Sequence, residues 1–309
     1  MPFWLSKSVA LQTCCDWPQP VAAFWVPAPF IPDLVQRLAN EATKAARHVL
    51  TMCIRALDYC PPFDITFGEY LRAIISADCD LVEDDRLRYR VAFVEAFRRR
   101  SIYPPGMPIM SLDRLIWRTP ENYRRDSLQL EALFDQLRLE TLLALQGSRF
   151  GLQSERQRLF ELQRQLRRKV HNWLEWHFQR GGIADAEYMG LDPSKKFEVH
   201  VGHIAFRRRP DGGVVPQLLA VVRQAVEVPI DPSDPNGPTM LLEGGSSIVG
   251  DMRQRVVKYC IRKSLKSPLR LAKQQSFVAS SRTSASATYT RTDPNGSEKE
   301  PFALFHRGL

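Results

Sequence analysis

Five carboxylates fall within the eight residues that open the stretch DCDLVEDDRLRYRVAFVEAFRRR (78–100), which closes on three consecutive arginines. Carboxylates at that density can ligate a hard cation, and clustered arginines can grip phosphate. The head does not keep the spacing of a calcium loop. Asp78 and Asp80 are followed by Val82 where a third ligand belongs, no glycine marks the turn, and no glutamate closes it. Anions at the start of a helix and cations at its end both oppose the macrodipole, for about 0.3–1 kcal/mol each. The stretch therefore reads as the charge pattern of one helix opened by Asp84 and Asp85. Tyr89, Phe93, Ala96 and Phe97 form its buried stripe, with Arg86, Arg90 and Arg98 mostly off it.

The other reactive side chains are no better arranged for catalysis. Zinc hydrolysis needs two histidines one helical turn apart with a glutamate between them to activate water, and no HExxH run exists. His171 and His177 are six apart on a predicted helix, His200 and His203 three apart on a predicted strand, and His171 with Glu175 is a pair rather than a site. A nucleophile elbow, a P-loop and a dinucleotide fingerprint are all missing. Gly244-Gly245-Ser246-Ser247 could cradle an anion, but a bulge or bend in a strand is the better reading. Cys60, beside Pro61-Pro62, has no base near it in sequence. The arginine triplets 98–100 and 207–209 lack the interleaved aromatics of a stacking platform. No catalytic, cofactor-binding or metal-binding residue is assigned, and no cofactor is expected.

The elements around these residues change character along the chain. Residues 1–29 are rich in Trp, Cys and Pro and keep no period. From Pro32 a long helix runs to the Pro61-Pro62 stop, with Leu34, Leu38, Ala45, Val49 and Cys53 on its apolar side. Thr66 and Glu69 have the spacing of a capping box. SIYPPGMP (101–108) breaks the chain. Two amphipathic helices follow near 126–145 and 154–179. Leu130, Leu133, Phe134, Leu137 and Leu145 stripe the first, and Leu159, Leu162, Leu166, Val170, Trp173 and His177 the second. GSRFG between them makes an αα-hairpin. After Gly181-Gly182 the period becomes two, and FEVHVGHIAF, VVPQLLAVVRQAVEV, TMLLEGGSSIV and RVVKYCIRK read as strands. Turns are expected at Pro210-Asp211-Gly212, at DMRQ (251–254) and in the Pro/Gly loop 231–238. From about 276 the chain is too polar to fold and reads as disordered. The class is α+β. It divides into an irregular segment 1–29, a helical domain 30–105, a helical hairpin 106–190, a small, mainly antiparallel β domain 191–275, and a tail 276–309.

Composition sets broad limits. The 309 residues suffice for two domains, and 44% of them are hydrophobic. No apolar run reaches the roughly 18 residues that span a bilayer, and no signal peptide is evident, so no membrane association is expected. Six cysteines without a CxxC pair read as reduced thiols of a cytoplasmic protein. A net charge of +9 permits contact with nucleic acid or an acidic surface.

The segment 48–104 resembles large uncharacterised bacterial proteins with a zincin-type peptidase domain. More distantly it is similar to the last helices of the thermolysin-like (gluzincin) metallopeptidases. The pieces that carry the likeness are Thr66-Phe67 opening a helix, Asp80-Leu81 in an aliphatic-acidic turn, and Val91-Ala92-Phe93 running on to Ile102. Ser101 stands where the pattern prefers Gly. EGGSSIVGDM and VKYCIRK resemble the C-terminal extension of the large proteins more weakly. In such peptidases the HExxH helix, the third zinc ligand and the proton-donating histidine all lie upstream, so none can be carried onto this sequence. The resemblance implies the helical end of a peptidase-like fold without its chemistry.

Two functional expectations stay open. One is a non-catalytic C-terminal fragment of a gluzincin-like protein, with a separate peptidase-like N-terminal half as its partner. The other is a basic helical module that binds nucleic acid or an acidic protein through the 154–180 helix, where Arg156, Arg164, Arg167, Arg168 and Lys169 gather. Back-translation adds a further expectation. With suitably chosen codons and one added base in front, residues 1–5 and 14–18 can be read in the neighbouring frame as Asp-Ala-Phe-Leu-Ala and Leu-Leu-Arg-Leu-Ala, both good helix formers. Residues 1 to about 29 then read as an out-of-frame translation of an interrupted peptidase-like gene, against the alternative of a genuine short extension.

Overall fold

Residues 214–222 read VVPQLLAVV, an apolar run with little alternation. A strand of that kind must be covered on both sides, and this one is. In the computed structural model, which describes residues 32–119, 153–180, 183–209, 211–234 and 236–281, the run lies in the second strand of a four-stranded antiparallel sheet of order β1-β2-β3-β4. The strands are β1 (Glu198–Arg208), β2 (Val214–Pro229), β3 (Thr239–Asp251) and β4 (Val256–Lys263). The helices are α1 (Pro32–Ala56), α2 (Phe67–Cys79), α3 (Tyr89–Arg99), α4 (Leu112–Leu115), α5 (Gln153–Gln179), α6 (Ile183–Tyr188) and α7 (Pro268–Ser281), with a 3-10 turn at Leu57–Tyr59. The protein is α+β, and all four strands fall where the period-two runs predict them. The segment 1–29, the first helix of the expected hairpin and the tail beyond 281 lie outside the described residues.

The chain divides into two compact units, Met1–His48 and Val49–Leu309. In the first, the described residues 32–48 form most of α1. Leu34 and Leu38, expected on the buried side, are 52% and 62% exposed. Amphipathicity identifies the apolar face of a helix and is silent on whether anything covers it.

In the second unit each face of the sheet has its own core. Leu218, Ala220, Val222 and Ile248 pack with Leu166, Val170, Trp173 and Leu174 of α5 and with Ala186, Met189 and Leu191. On the other face, Leu219, Val249, Tyr259 and Ile261 pack with Met52 and Ala56 from the end of α1, with Tyr59 and Cys60, and with Ala73, Ile74 and Ala77 of α2. Val49 is exposed, Cys53 is half-buried, and Met52 and Ala56 are the residues buried at this contact. Residues 49–79 and the sheet thus share one apolar cluster.

Local chemistry fixes the helix ends. Thr66 Oγ1 accepts the Glu69 amide while the Glu69 carboxylate accepts the Thr66 amide, which is the expected capping box. The helix expected from Asp84 starts later, at Tyr89, because Arg88 takes a left-handed conformation (φ 56°). Asp85 still acts as the anion at this helix start: its two carboxylate oxygens accept the Tyr89 and Arg90 amides, each at 2.9 Å. Phe93 packs against both the cluster on the Tyr259 face of the sheet and the cluster of Leu71, Ile75 and Leu115. Phe97 packs on the latter. α7 also extends the order past 276, with Val278 buried and Gln275 Nε2 donating to Pro229 O.

At its C-terminus α3 ends in a Schellman motif. The Ile102 amide donates to Phe97 O and the Ser101 amide to Arg98 O, with Ser101 left-handed at φ 56°. A serine there carries a Cβ penalty that glycine does not. Ser101→Gly is therefore expected to stabilise the protein by about 1 kcal/mol, read as a higher urea midpoint. An unchanged or lower midpoint would show that the left-handed geometry costs serine nothing at this position.

Candidate functional site

The acidic head is the densest set of reactive groups, and the fold takes it apart. Asp78 lies on the last turn of α2 with its side chain 4% exposed; Arg90 Nε donates to its Oδ2 at 2.7 Å. The guanidinium also donates to the carbonyl oxygens of Asp78 and Val82. Arg90, expected off the buried stripe, is one of the few buried cations. A buried carboxylate requires a partner, and the guanidinium fork supplies one while closing the turn after α2.

Asp80, the C-cap of α2, points the other way, into the face of the sheet that carries Tyr259. Its side chain is 3% exposed. Tyr59 O–H donates to Oδ2 at 2.7 Å, Tyr259 O–H donates to Oδ1 at 2.9 Å, and Lys258 Nζ lies 2.5 Å from Oδ1. Gln217 Nε2 in turn donates to the Tyr59 hydroxyl at 2.8 Å. Burial, and then the Asp80 charge, push both phenols far above the usual tyrosine range, so they stay protonated and remain donors. The register of β3 and β4 shifts between Val249 and Gly250, leaving Lys258 as an extra residue. That bulge brings the Lys258 amine and the Tyr259 hydroxyl to the same carboxylate. Trp117 locks the assembly from outside: its Nε1 donates to Tyr59 O, its amide to Ser76 Oγ, and Arg72 stacks over its ring at 3.8 Å.

Of the remaining head, Asp85 caps α3, Asp84 pairs with Arg86 in solvent, and Glu83 is exposed. The five carboxylates therefore do not converge, and among the described residues no three His, Cys, Asp or Glu side chains are arranged to hold a metal ion.

The other singled-out residues are equally dispersed. His177 Nε2 lies 2.5 Å from Asp185 Oδ2, with its ring stacked on Trp173 at 5.0 Å. His171 contacts Phe197 O and stacks on the Phe197 ring, 3.9 Å from Glu175. His200 is exposed beside Glu198. Burial lowers the His203 pKa, partly offset by Asp58, so its ring is neutral near pH 7. Cys60 donates to Ala56 O, and burial, then Glu69 and Asp58, push its thiol up to about 12, which removes it as a nucleophile at neutral pH. At Gly244-Gly245 the pairing with Gln224 and Arg223 continues unbroken, so the expected bulge is not there. A Cβ on Gly245 (φ 149°) would come within 2.0 Å of Val222 O; the glycine allows close backbone approach, and Ser246 and Ser247 are buried rather than lining a cradle.

The cations divide into two groups. Arg98 and Arg99 bind Glu95, Arg207 binds Asp58, Lys263 binds Glu69 and Arg270 binds Asp64. On α5, Arg167 donates to His200 O, whereas Arg164, Arg168 and Lys169 are exposed and form no ion pair among the described residues. The side chain of Arg156 is outside the description. Sequence reasoning found these arginines and missed Asp80's network, because Tyr59, Lys258 and Tyr259, with Gln217 behind Tyr59, are up to 179 residues from it in sequence.

Compared with family models, with curated proteins and with solved structures, the chain matches none.

Proposed function

We propose that this chain is a non-catalytic module, related to the helical end of the gluzincin metallopeptidases and working without their zinc chemistry. The observation that carries the reading is the commitment of its reactive groups to the framework. Asp78 is held by Arg90, and Asp80 by two tyrosines and a lysine. Glu69, Asp58 and Asp64 are each bound to a cation from the sheet or α7. A general base or a metal ligand needs a lone pair aimed at open space; these carboxylates spend theirs on neighbours that tie α2 and the loops to the sheet.

The kinship part of the proposal is supported by the quoted motifs. Thr66-Phe67 opens a capped helix, and Ser101 occupies a left-handed position that suits the glycine of the pattern. The partner on this reading is a separate peptidase-like half. Free Cys53, Cys60, Cys79 and Cys260 suit a reducing cytoplasm, and among the described residues no helix is long and apolar enough to cross a membrane.

The purified protein is expected to contain no stoichiometric zinc by elemental analysis and to leave unfolded casein intact. Tightly bound zinc that a chelator removes together with casein cleavage would overturn the reading.

A further inference from the structure

We propose that the outward face of α5 binds single-stranded nucleic acid. The inference goes beyond the non-catalytic reading and does not depend on it. One side of α5 is sealed against the sheet by Leu166, Val170, Trp173 and Leu174. The other side carries Phe160, Arg164, Arg168, Asn172, Trp176 and Arg180, all exposed and each four residues from the next. Neighbours at that interval adjoin on a helix surface, and the row drifts about 40° per step, so Arg164, Arg168, Asn172 and Trp176 share the outward face while Phe160 and Arg180 stand at its opposite flanks. Phe160 is 58% exposed and Trp176 50%. The Arg180 guanidinium stacks over the Trp176 ring at 4.7 Å.

Three features select the partner. The cations of the outward face are uncommitted: Arg164 and Arg168, with Lys169 beside them, form no ion pair or hydrogen bond among the described residues, unlike the arginines at 98, 99 and 207. They call for an anion from outside. The two large aromatic side chains are about 24 Å apart along the axis and on opposite flanks of the helix, with polar residues between them. That leaves no continuous apolar strip for a protein helix to bury, as an acidic amphipathic partner would require. Unpaired guanidinium groups interleaved with an exposed indole, as Arg168, Trp176 and Arg180 are, suit a chain that presents phosphates and separate π-faces, which is single-stranded nucleic acid. The arginine triplets lack this interleaving; on α5 the fold supplies it, because the four-residue interval joins residues that are not adjacent in sequence.

The test is fluorescence anisotropy of a labelled oligothymidine 20-mer with the full chain, across a salt series. Binding is expected, and Arg164→Glu with Arg168→Glu should weaken it at least 10-fold. Loss of two phosphate contacts should also reduce the salt slope by about 1.4. Trp176→Ala should weaken binding about 5- to 150-fold, the loss of one stacked base. The control Arg98→Glu with Arg99→Glu changes net charge equally and should leave affinity within about twofold. All four arginines are exposed, so unchanged circular dichroism is expected for both double variants. The proposal is overturned by an absence of binding at low salt. It is also overturned by equal weakening in the two double variants, which would mark a net-charge effect, or by stronger binding of polyglutamate than of oligothymidine, which would mark an acidic protein partner.

Discussion

Arg90→Met is expected to lower the unfolding free energy by about 3–5 kcal/mol, the usual consequence of leaving a buried carboxylate without its partner. Asp78 has 4% of its side chain exposed and cannot recruit solvent without opening the turn after α2. The carbonyl oxygens of Asp78 and Val82 lose their guanidinium donor as well. Replacing both partners, Asp78→Leu with Arg90→Met, should recover at least half of the loss, since removing both charges also removes the desolvation penalty. Urea unfolding followed by far-UV circular dichroism reads both effects. A loss below about 1 kcal/mol for Arg90→Met would instead fit the exposed helix-face cation that its sequence position suggests.

Asp80→Asn is the second large effect, expected at about 3 kcal/mol. The asparagine keeps the volume but removes the charge that two phenols and an ammonium address, and hydrogen bonds to a charged group contribute about 1.5–3 kcal/mol each. Lys258 is one-third exposed and can turn to water, which limits the total. Tyr59 and Tyr259 cannot, being buried. Tyr259→Phe should accordingly cost less than Asp80→Asn, and the two together less than their sum, because they share one bond. Full additivity would contradict the network.

The strands were the most legible part of the sequence, because period-two alternation bounded by Pro, Gly and Asp turns reports strand and turn at once. The Thr66–Glu69 cap was legible for the same reason: its partners are three residues apart. The acidic head was not. Its charge order, anions first and cations last, suits a helix dipole so well that the dipole accounts for it on paper. Nothing within 20 residues reveals that Asp80 meets Tyr259 across the sheet, or that a bulge turns Lys258 toward it. The start of α3 was misplaced by the single left-handed residue Arg88, which no periodicity can signal. The exposed aromatics of α5 are hidden for a related reason: an amphipathic pattern identifies the buried stripe, and Phe160 and Trp176 stand out only once that stripe is packed.

If the carboxylates of the acidic head hold the fold together, their loss destabilises the protein with or without a metal ion. The most direct measurement is the urea midpoint of the wild-type protein and of Asp80→Asn, each in chelator and again in calcium or zinc at about 0.1 mM. An ion that binds the native state with a Kd about one-hundredth of its supplied concentration would raise stability by about 2.7 kcal/mol. Asp80→Asn is expected to lower the midpoint equally in all three conditions, with the wild type unmoved by either ion. A wild-type midpoint that rises with calcium or zinc, and a rise that Asp80→Asn abolishes, would contradict it.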